Sequence, residues 1–165
     1  SDTPNVIGST TWGHSNRRMV TWIRFLDKKT KQEFYFWNTH FDHRVQPARE
    51  KAASLVNEKV AELKTELPII LVGDFNASAK MNKTYDILVD DGGFEDTIVK
   101  AKESINADWN TINGFRETRK GSRRIDWVLS KGGVKTLEAE IVLFDNRKQY
   151  PSDHQPVSAT IVLEK

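Results

Sequence analysis

Four short stretches of this 165-residue chain put acid, amide and imidazole groups where apolar runs begin or end. Asn38-Thr39-His40 closes an aromatic run, and Gly73-Asp74-Phe75-Asn76 closes Ile69–Val72. Asp126 lies within Ile125-Asp126-Trp127-Val128-Leu129, and Ser152-Asp153-His154 leads into the last apolar stretch. Asp74 and Asn76 are two apart, so in extended backbone their side chains share a face. One is an anion that can bind a cation. The other can donate to, or accept from, a phosphate or a water without carrying charge. Asp153 and His154 are adjacent, so their side chains diverge: the carboxylate can serve a metal while the imidazole faces a phosphate. Asp126, between Ile125 and Trp127, must be partly buried, and a buried carboxylate needs a partner. A histidine fits that need, and the pairing would fix its tautomer and raise its pKa.

The elements that position these groups follow from local pattern. Val20–Phe25 is β-branched and aromatic, which predicts a strand. A polar turn over 27–32 separates it from a second strand, Phe34–His40, whose near-continuous aromatic character predicts burial on both faces. Pro47 opens a helix. Ala48, Ala52, Leu55, Val56, Val60 and Leu63 recur at spacings of three and four along it. Pro68 stops that helix before the short strand Ile69–Val72. Tyr85–Val89 predicts a short helix, broken by Asp90-Asp91-Gly92-Gly93. Residues 94–124 are loop-rich. Ile125–Leu129, Val134–Phe144 and Val157–Leu163 predict three further strands. A β-β-α-β order followed by more strands indicates a layered α/β (α+β) domain. Strand ends deliver side chains to one rim of a sheet, where clefts form, so four such ends can converge on one site.

Composition narrows the chemistry. With 25 Lys+Arg against 23 Asp+Glu the formal net charge is +2, which gives no general push toward nucleic acid. The absence of cysteine excludes a disulfide scaffold, a thiolate zinc site and a cysteine nucleophile. No Gly-x-Ser-x-Gly elbow is present, so a serine hydrolase of that type is excluded. The longest apolar run, Ile69–Val72, has four residues, far short of a membrane span. His43 stands three beyond His40, but no third ligand suited to zinc lies near it. Taken singly, each of the four motifs is an ordinary turn. Their ordered set carries the functional reading.

Taken in order, Asn38-Thr39-His40, Gly73-Asp74-Phe75-Asn76, Arg124-Ile125-Asp126-Trp127 and Ser152-Asp153-His154-Gln155-Pro156-Val157 resemble the endonuclease/exonuclease/phosphatase superfamily. Asn38-Thr39-His40-Phe41-Asp42-His43 and Thr111-Ile112-Asn113-Gly114-Phe115 resemble its bacterial metal-dependent hydrolase members. The resemblance runs from about Thr11 onward. It implies a four-layered α/β sandwich of the deoxyribonuclease-like type and hydrolysis of a phosphate ester with Mg²⁺ or Mn²⁺. It further implies that His40, Asp74, Asn76, Asp126 and His154 are catalytic. In that scheme Asp126 supports His154, and Asp74, Asn76 and Asp153 stand on the metal side. Asn113 and Arg124 would contact substrate. Either Asp74 or His154 could take the proton.

The family's earlier half carries an Asn and a metal-binding Glu for which no match precedes Val20. By the resemblance, residues 1–165 are therefore expected to be the C-terminal portion of one domain, supplying mainly one β-sheet and its helices. The missing half would be its partner. Arg116, Arg119, Lys120, Arg123, Arg124 and Lys131 make a basic cluster near Asp126, so nucleic acid joins small phosphorylated molecules as an expected substrate. The competing expectation is a non-catalytic module that holds a phosphorylated ligand or a partner through an incomplete metal site.

Overall fold

A hairpin starts the first sheet. β1 (Val20–Leu26) and β2 (Glu33–His40) pair antiparallel through the polar turn, with Trp22 opposite Trp37 and Thr21 opposite Asn38. α1 (Gln46–Glu62) then crosses over, and β3 (Ile69–Asp74) returns parallel to β2. A β2–α1–β3 crossover of this kind buries the helix against the sheet. After a short α2 (Lys83–Asp86) and a π-helical turn over Ile87–Asp91, β4 (Glu95–Asp96) and α3 (Thr97–Lys100) follow. β6 (Asp126–Lys131) lies antiparallel between β3 and β4, so the five-stranded sheet has the order β1-β2-β3-β6-β4. β5 (Glu103–Ile105), β7 (Val134–Ile141) and β8 (Val157–Leu163) form a second sheet, and β8 lies against β6. The computed structural model describes residues 1–14, 16–144 and 149–164.

The core sits between the first sheet and α1. Trp37, Leu71 and Leu129 are at one register height on three neighbouring strands and are buried together with Ala53, Val56 and Val60 of the helix. Phe75 stacks on Trp127 with ring centroids 4.3 Å apart, and the Tyr85 ring meets Trp127 edge-on. Such pairs add to the area burial of the aromatic rings. The outer edge is different. Trp22, Ile23, Phe25 and Leu26 of β1 are all exposed.

The expected elements are present with shifted bounds. The predicted helix over Tyr85–Val89 is α2 followed by the π-helical turn. The Val134–Phe144 strand ends at Ile141. β2 is not buried on both faces: Trp37 and Thr39 are buried, whereas Phe34 and Phe36 remain half-exposed next to the open edge strand β1, although Ile70 and Ser130 in one row with Phe36 are buried. The second sheet includes β5, from a stretch read as loop. Among the described residues, no helix is long and apolar enough to cross a membrane.

Candidate active site

Register alone builds the first part of the site. β2 and β3 run parallel with His40 opposite Asp74, and β3 and β6 run antiparallel with Asp74 opposite Asp126. Three adjacent strands therefore present one polar residue each, at one height, at one rim of the sheet. The side-chain period of two puts all three on the face away from Trp37, Leu71 and Leu129. Gly73 makes the approach possible. It sits at φ +152°, and a Cβ there would fall 1.9 Å from the Thr39 carbonyl oxygen. Any side chain at 73 would wedge β2 from β3 one residue below the row.

The turn after the row is fixed by Asp74 itself. Its Oδ1 accepts the Asn76 N–H at 2.8 Å, and its Oδ2 accepts from Asn76 Nδ2 at 3.2 Å. Asn76 Nδ2 also donates to the Phe41 carbonyl, and Asn76 takes φ +50°, a conformation asparagine tolerates. Asp42, buried behind this turn, accepts from the Arg44 and Val45 N–H groups and steers the chain into α1.

His154 arrives from another direction. An arm over residues 109–123 closes on itself through a Trp109–Lys120 bridge, and Ile112 bridges His154. The Asn113 and Gly114 N–H groups both donate to the Asp153 carbonyl, and the Gln155 N–H donates to the Thr111 carbonyl. This seats the imidazole with Nδ1 2.8 Å from Asp126 Oδ2. An ionised carboxylate can only accept, so Nδ1–H donates and Nε2 is left for the site.

The electrostatics divide the two histidines. The hydrogen bond to Asp126 holds His154 above its ordinary pKa, against the effect of its burial, and the charges of Asp126, Asp74 and Asp153 act in the same raising direction. His40 is held below its ordinary value, chiefly by burial. Burial also pushes Asp74 up, and the Asp126 charge adds to that push. His40 Nε2 stands 3.3 Å from Asp74 Oδ2. Burial weighs against a charged ring there, while the Asp74 charge pulls the other way.

Asp74, Asp126 and His154 offer donor atoms within 4.8 Å of one another, a group able to hold a divalent cation. The chemistry of this donor set fits one: two carboxylates face each other directly across a ladder, and a cation between them would relieve their repulsion. This grouping differs from the expected Asp74, Asn76 and Asp153. Asp126 and His154 join Asp74, whereas Asp153 lies outside the group and Asn76 turns its amide nitrogen to Asp74.

Of the two substrate contacts expected from the sequence, Arg124 is corrected and Asn113 is placed beside the site. The Arg124 guanidinium is buried and paired with Asp96, which also receives the Tyr85 hydroxyl, so Arg124 is a core residue and presents no donor to the cleft. Asn113 lies beside Asp153, but its Oδ1 accepts the Phe115 N–H at 2.7 Å and shapes the turn. Arg116, Arg119 and Arg123 of the basic cluster are exposed, and Lys120 pairs with Asp108. Sequence reasoning also missed Arg18, which precedes β1. Its guanidinium stands 3.4 Å from His43 Nδ1, and its charge reaches His40. A basic residue flanking a strand carries no signal of its own.

Comparison with known proteins shows the family and the fold. The sequence profile of the Endonuclease/Exonuclease/phosphatase family matches residues 3–154. The chain is similar in structure to a mannosyl-6-phosphatase of Bacteroides thetaiotaomicron, at 32% identity and a TM-score of 0.84, covering 93% of this chain and 60% of that one. An endonuclease/exonuclease/phosphatase protein of Bacteroides vulgatus is 29% identical with a TM-score of 0.86, over 98% of this chain and 61% of that one. An uncharacterized protein of Acanthamoeba polyphaga mimivirus is 33% identical over 84 residues, 49% of this chain and 31% of its own length. The chain thus spans about 60% of the length of the two similar structures.

Proposed function

The chain belongs to the endonuclease/exonuclease/phosphatase family, and from that premise we propose that it carries the catalytic rim of a divalent-metal-dependent hydrolase of phosphate esters. The observation that carries this reading is the convergence of His40, Asp74 and Asp126 in one row with the Asp126–His154 hydrogen bond above it. Mg²⁺ or Mn²⁺ would be held by Asp74 and Asp126; when bound, it would supply charge neutralisation of the ester and a more acidic water. Imidazole suits Mg²⁺ poorly, so His154 keeps a separate task.

The protein's own groups divide the work by protonation state. His154, with Nδ1 held by Asp126 and its pKa raised, offers an Nε2–H to a non-bridging phosphoryl oxygen, where charge grows in the transition state. His40, neutral through burial, contacts the phosphate from the neighbouring strand without adding charge. Asp74 and Asn76 orient the attacking water, their mutual hydrogen bonds fixing both side chains before substrate arrives.

A phosphorylated sugar is the first substrate class to test, because the 32%-identical structure is a mannosyl-6-phosphatase. The exposed Arg116, Arg119 and Arg123 suit an anionic substrate and extend the panel to nucleic acid. The exposed apolar residues of β1 support a second element of the proposal. On this reading that edge would seat a further segment of the family domain, which the partial coverage of the two similar structures leaves room for. The test is to assay the protein against sugar 6-phosphates, p-nitrophenyl phosphate, its diester and an oligonucleotide, with Mg²⁺, Mn²⁺ and EDTA. EDTA-sensitive hydrolysis that His154→Ala abolishes supports the reading. Ligand binding without turnover on every substrate establishes the non-catalytic module instead.

A further inference from the structure

Asp126 and His154 are 28 residues apart, yet one residue touches the backbone beside both. Thr111 is fully buried. Its Oγ1 accepts the Ile125 N–H at 2.9 Å and the Asp126 N–H at 3.1 Å. Its carbonyl accepts the Gln155 N–H at 2.6 Å, and its own N–H donates to the Arg123 carbonyl at 3.1 Å. The next residue, Ile112, bridges His154. Side chain and main chain of one threonine thus hold the two halves of the dyad.

The need for this acceptor is local. β4 pairs only with Ser130 and Leu129 of β6, so on that side no strand reaches the head of β6. The N–H groups of Ile125 and Asp126 would then be buried donors without a partner, a costly state. A hydroxyl has two acceptor lone pairs and can serve both. If it is removed, the head of β6 and the His154 turn lose their common anchor while the large core residues stay in place.

We propose that Thr111 is the positioning residue of this site, setting the Asp126–His154 contact through its hydroxyl on β6 and its carbonyl on the His154 turn. It does not touch the reacting atoms. The proposal rests on the hydrolase reading only for its kinetic consequence, because the contact itself can be observed without turnover.

The test compares Thr111→Val, Thr111→Ser and Thr111→Cys in the full-length protein. Valine keeps the shape and removes the acceptor. Serine keeps the hydroxyl. Cysteine keeps a small side chain with a weak acceptor and replaces valine should that variant fail to fold. Two readouts are taken: kcat and KM on the best substrate of the panel, and the ¹⁵N ring signals of His154 in metal-free protein, which distinguish Nδ1–H from Nε2–H. Thr111→Val or Thr111→Cys should lower kcat about 10–100-fold with KM little changed, the size of effect seen when a supporting hydrogen bond is lost. It should also weaken the Nδ1–H signature, and Thr111→Ser should restore both. A folded Thr111→Val or Thr111→Cys with wild-type kcat and wild-type ring signals overturns the proposal, as does a Thr111→Ser that restores neither. A wild-type protein without hydrolase activity defeats the functional reading, and the ring signals then decide this proposal alone.

Discussion

Asp74 and Asp126 stand directly opposite each other across the antiparallel β3–β6 ladder. Like charges in that relation destabilise a sheet by about 0.2–1 kcal/mol. The protein tolerates the pair at the one rim where it also gathers His40 and His154.

Metal and stability are linked through that pair. Without metal, Asp74→Asn removes the repulsion and keeps the Oδ1 acceptor for the Asn76 N–H but loses the Oδ2 acceptor for Asn76 Nδ2, so any gain in stability should stay below about 1 kcal/mol. With Mg²⁺ or Mn²⁺ added, the wild type should gain melting temperature and the variant should gain none. Differential scanning calorimetry in EDTA and in millimolar cation measures both. An equal shift in the two proteins places the cation elsewhere.

The histidine pair predicts a pH signature. His154 is raised from 6.5, chiefly by its bond to Asp126, so the folded state holds that proton more tightly than the unfolded state. Its contribution to stability is full below about 6.5 and fades as pH rises through the folded-state value. His40, lowered by burial, has the opposite sign and gives stability that rises with pH up to 6.5. The difference between wild type and Asp126→Asn isolates the His154 contribution. In EDTA the wild-type advantage should shrink between pH 6 and 9, on the order of one folded-state titration. Urea melts across that range decide it; an advantage that grows with pH contradicts the assignment.

In turnover, His154→Ala should lower kcat by about 10²–10⁴-fold, the usual contribution of a positioned proton donor. The fold should be retained because the side chain fills no core volume, with a modest loss of melting temperature that is largest below about pH 6.5, where the bond to Asp126 contributes most. Near-normal turnover would exclude His154 from the chemistry.

Arg124 should behave as structure. Arg124→Ala leaves the buried Asp96 without its cation, held only by the Tyr85 hydroxyl and the Ile98 N–H, a loss of about 3–5 kcal/mol. In protein kept folded by low temperature, KM for every substrate should stay at the wild-type value. A selective KM increase without loss of stability would return Arg124 to the cleft.

The open edge makes a solution prediction. Trp22 and Leu26 on one face of β1, and Ile23 and Phe25 on the other, are exposed. Large apolar side chains left open on both faces of an edge strand invite a contact. Light scattering should find the isolated chain self-associated. Co-expression with a family N-terminal half, or Trp22→Lys with Phe25→Lys, should yield soluble monomeric material. A monodisperse, soluble wild-type chain at high concentration would argue against a partner at this edge.

What was legible in the sequence was what depends on neighbours along the chain. β-branched and aromatic runs marked the strands, and Pro47 and Pro68 bracketed α1. His40, Asp74 and Asp126 were visible because a strand end reveals its polar residue. Contacts across long separations were not. Arg124 sits in a run of basic residues that reads as solvent-facing, and only the fold brings Asp96 to it. Arg49 lies among the charges of α1 and is buried, donating to the Asp42 carbonyl. Glu103–Ile105 has too few residues to show a period, so its place in the second sheet was hidden. Thr111 belonged to a recognised segment, but a threonine in a loop does not announce that two strand N–H groups converge on its hydroxyl.

The arm over 109–123 is closed at its neck by the Trp109–Lys120 bridge, by the Asn110 N–H on the Arg119 carbonyl and by the Thr111 N–H on the Arg123 carbonyl. Everything that reaches Asp126 and His154 leaves from the neck or from Ile112 to Gly114. The tip beyond, from Phe115 to Thr118, is exposed apart from the half-buried Thr118 and donates nothing to the dyad. Side-chain exchanges at Phe115, Arg116 or Glu117 therefore leave the contacts to Asp126 and His154 in place. If the chain is the hydrolase proposed above, the arrangement separates what is hydrolysed from how it is hydrolysed. New substrate preferences would then evolve, or be engineered, by rewriting a few tip residues while the chemistry is inherited.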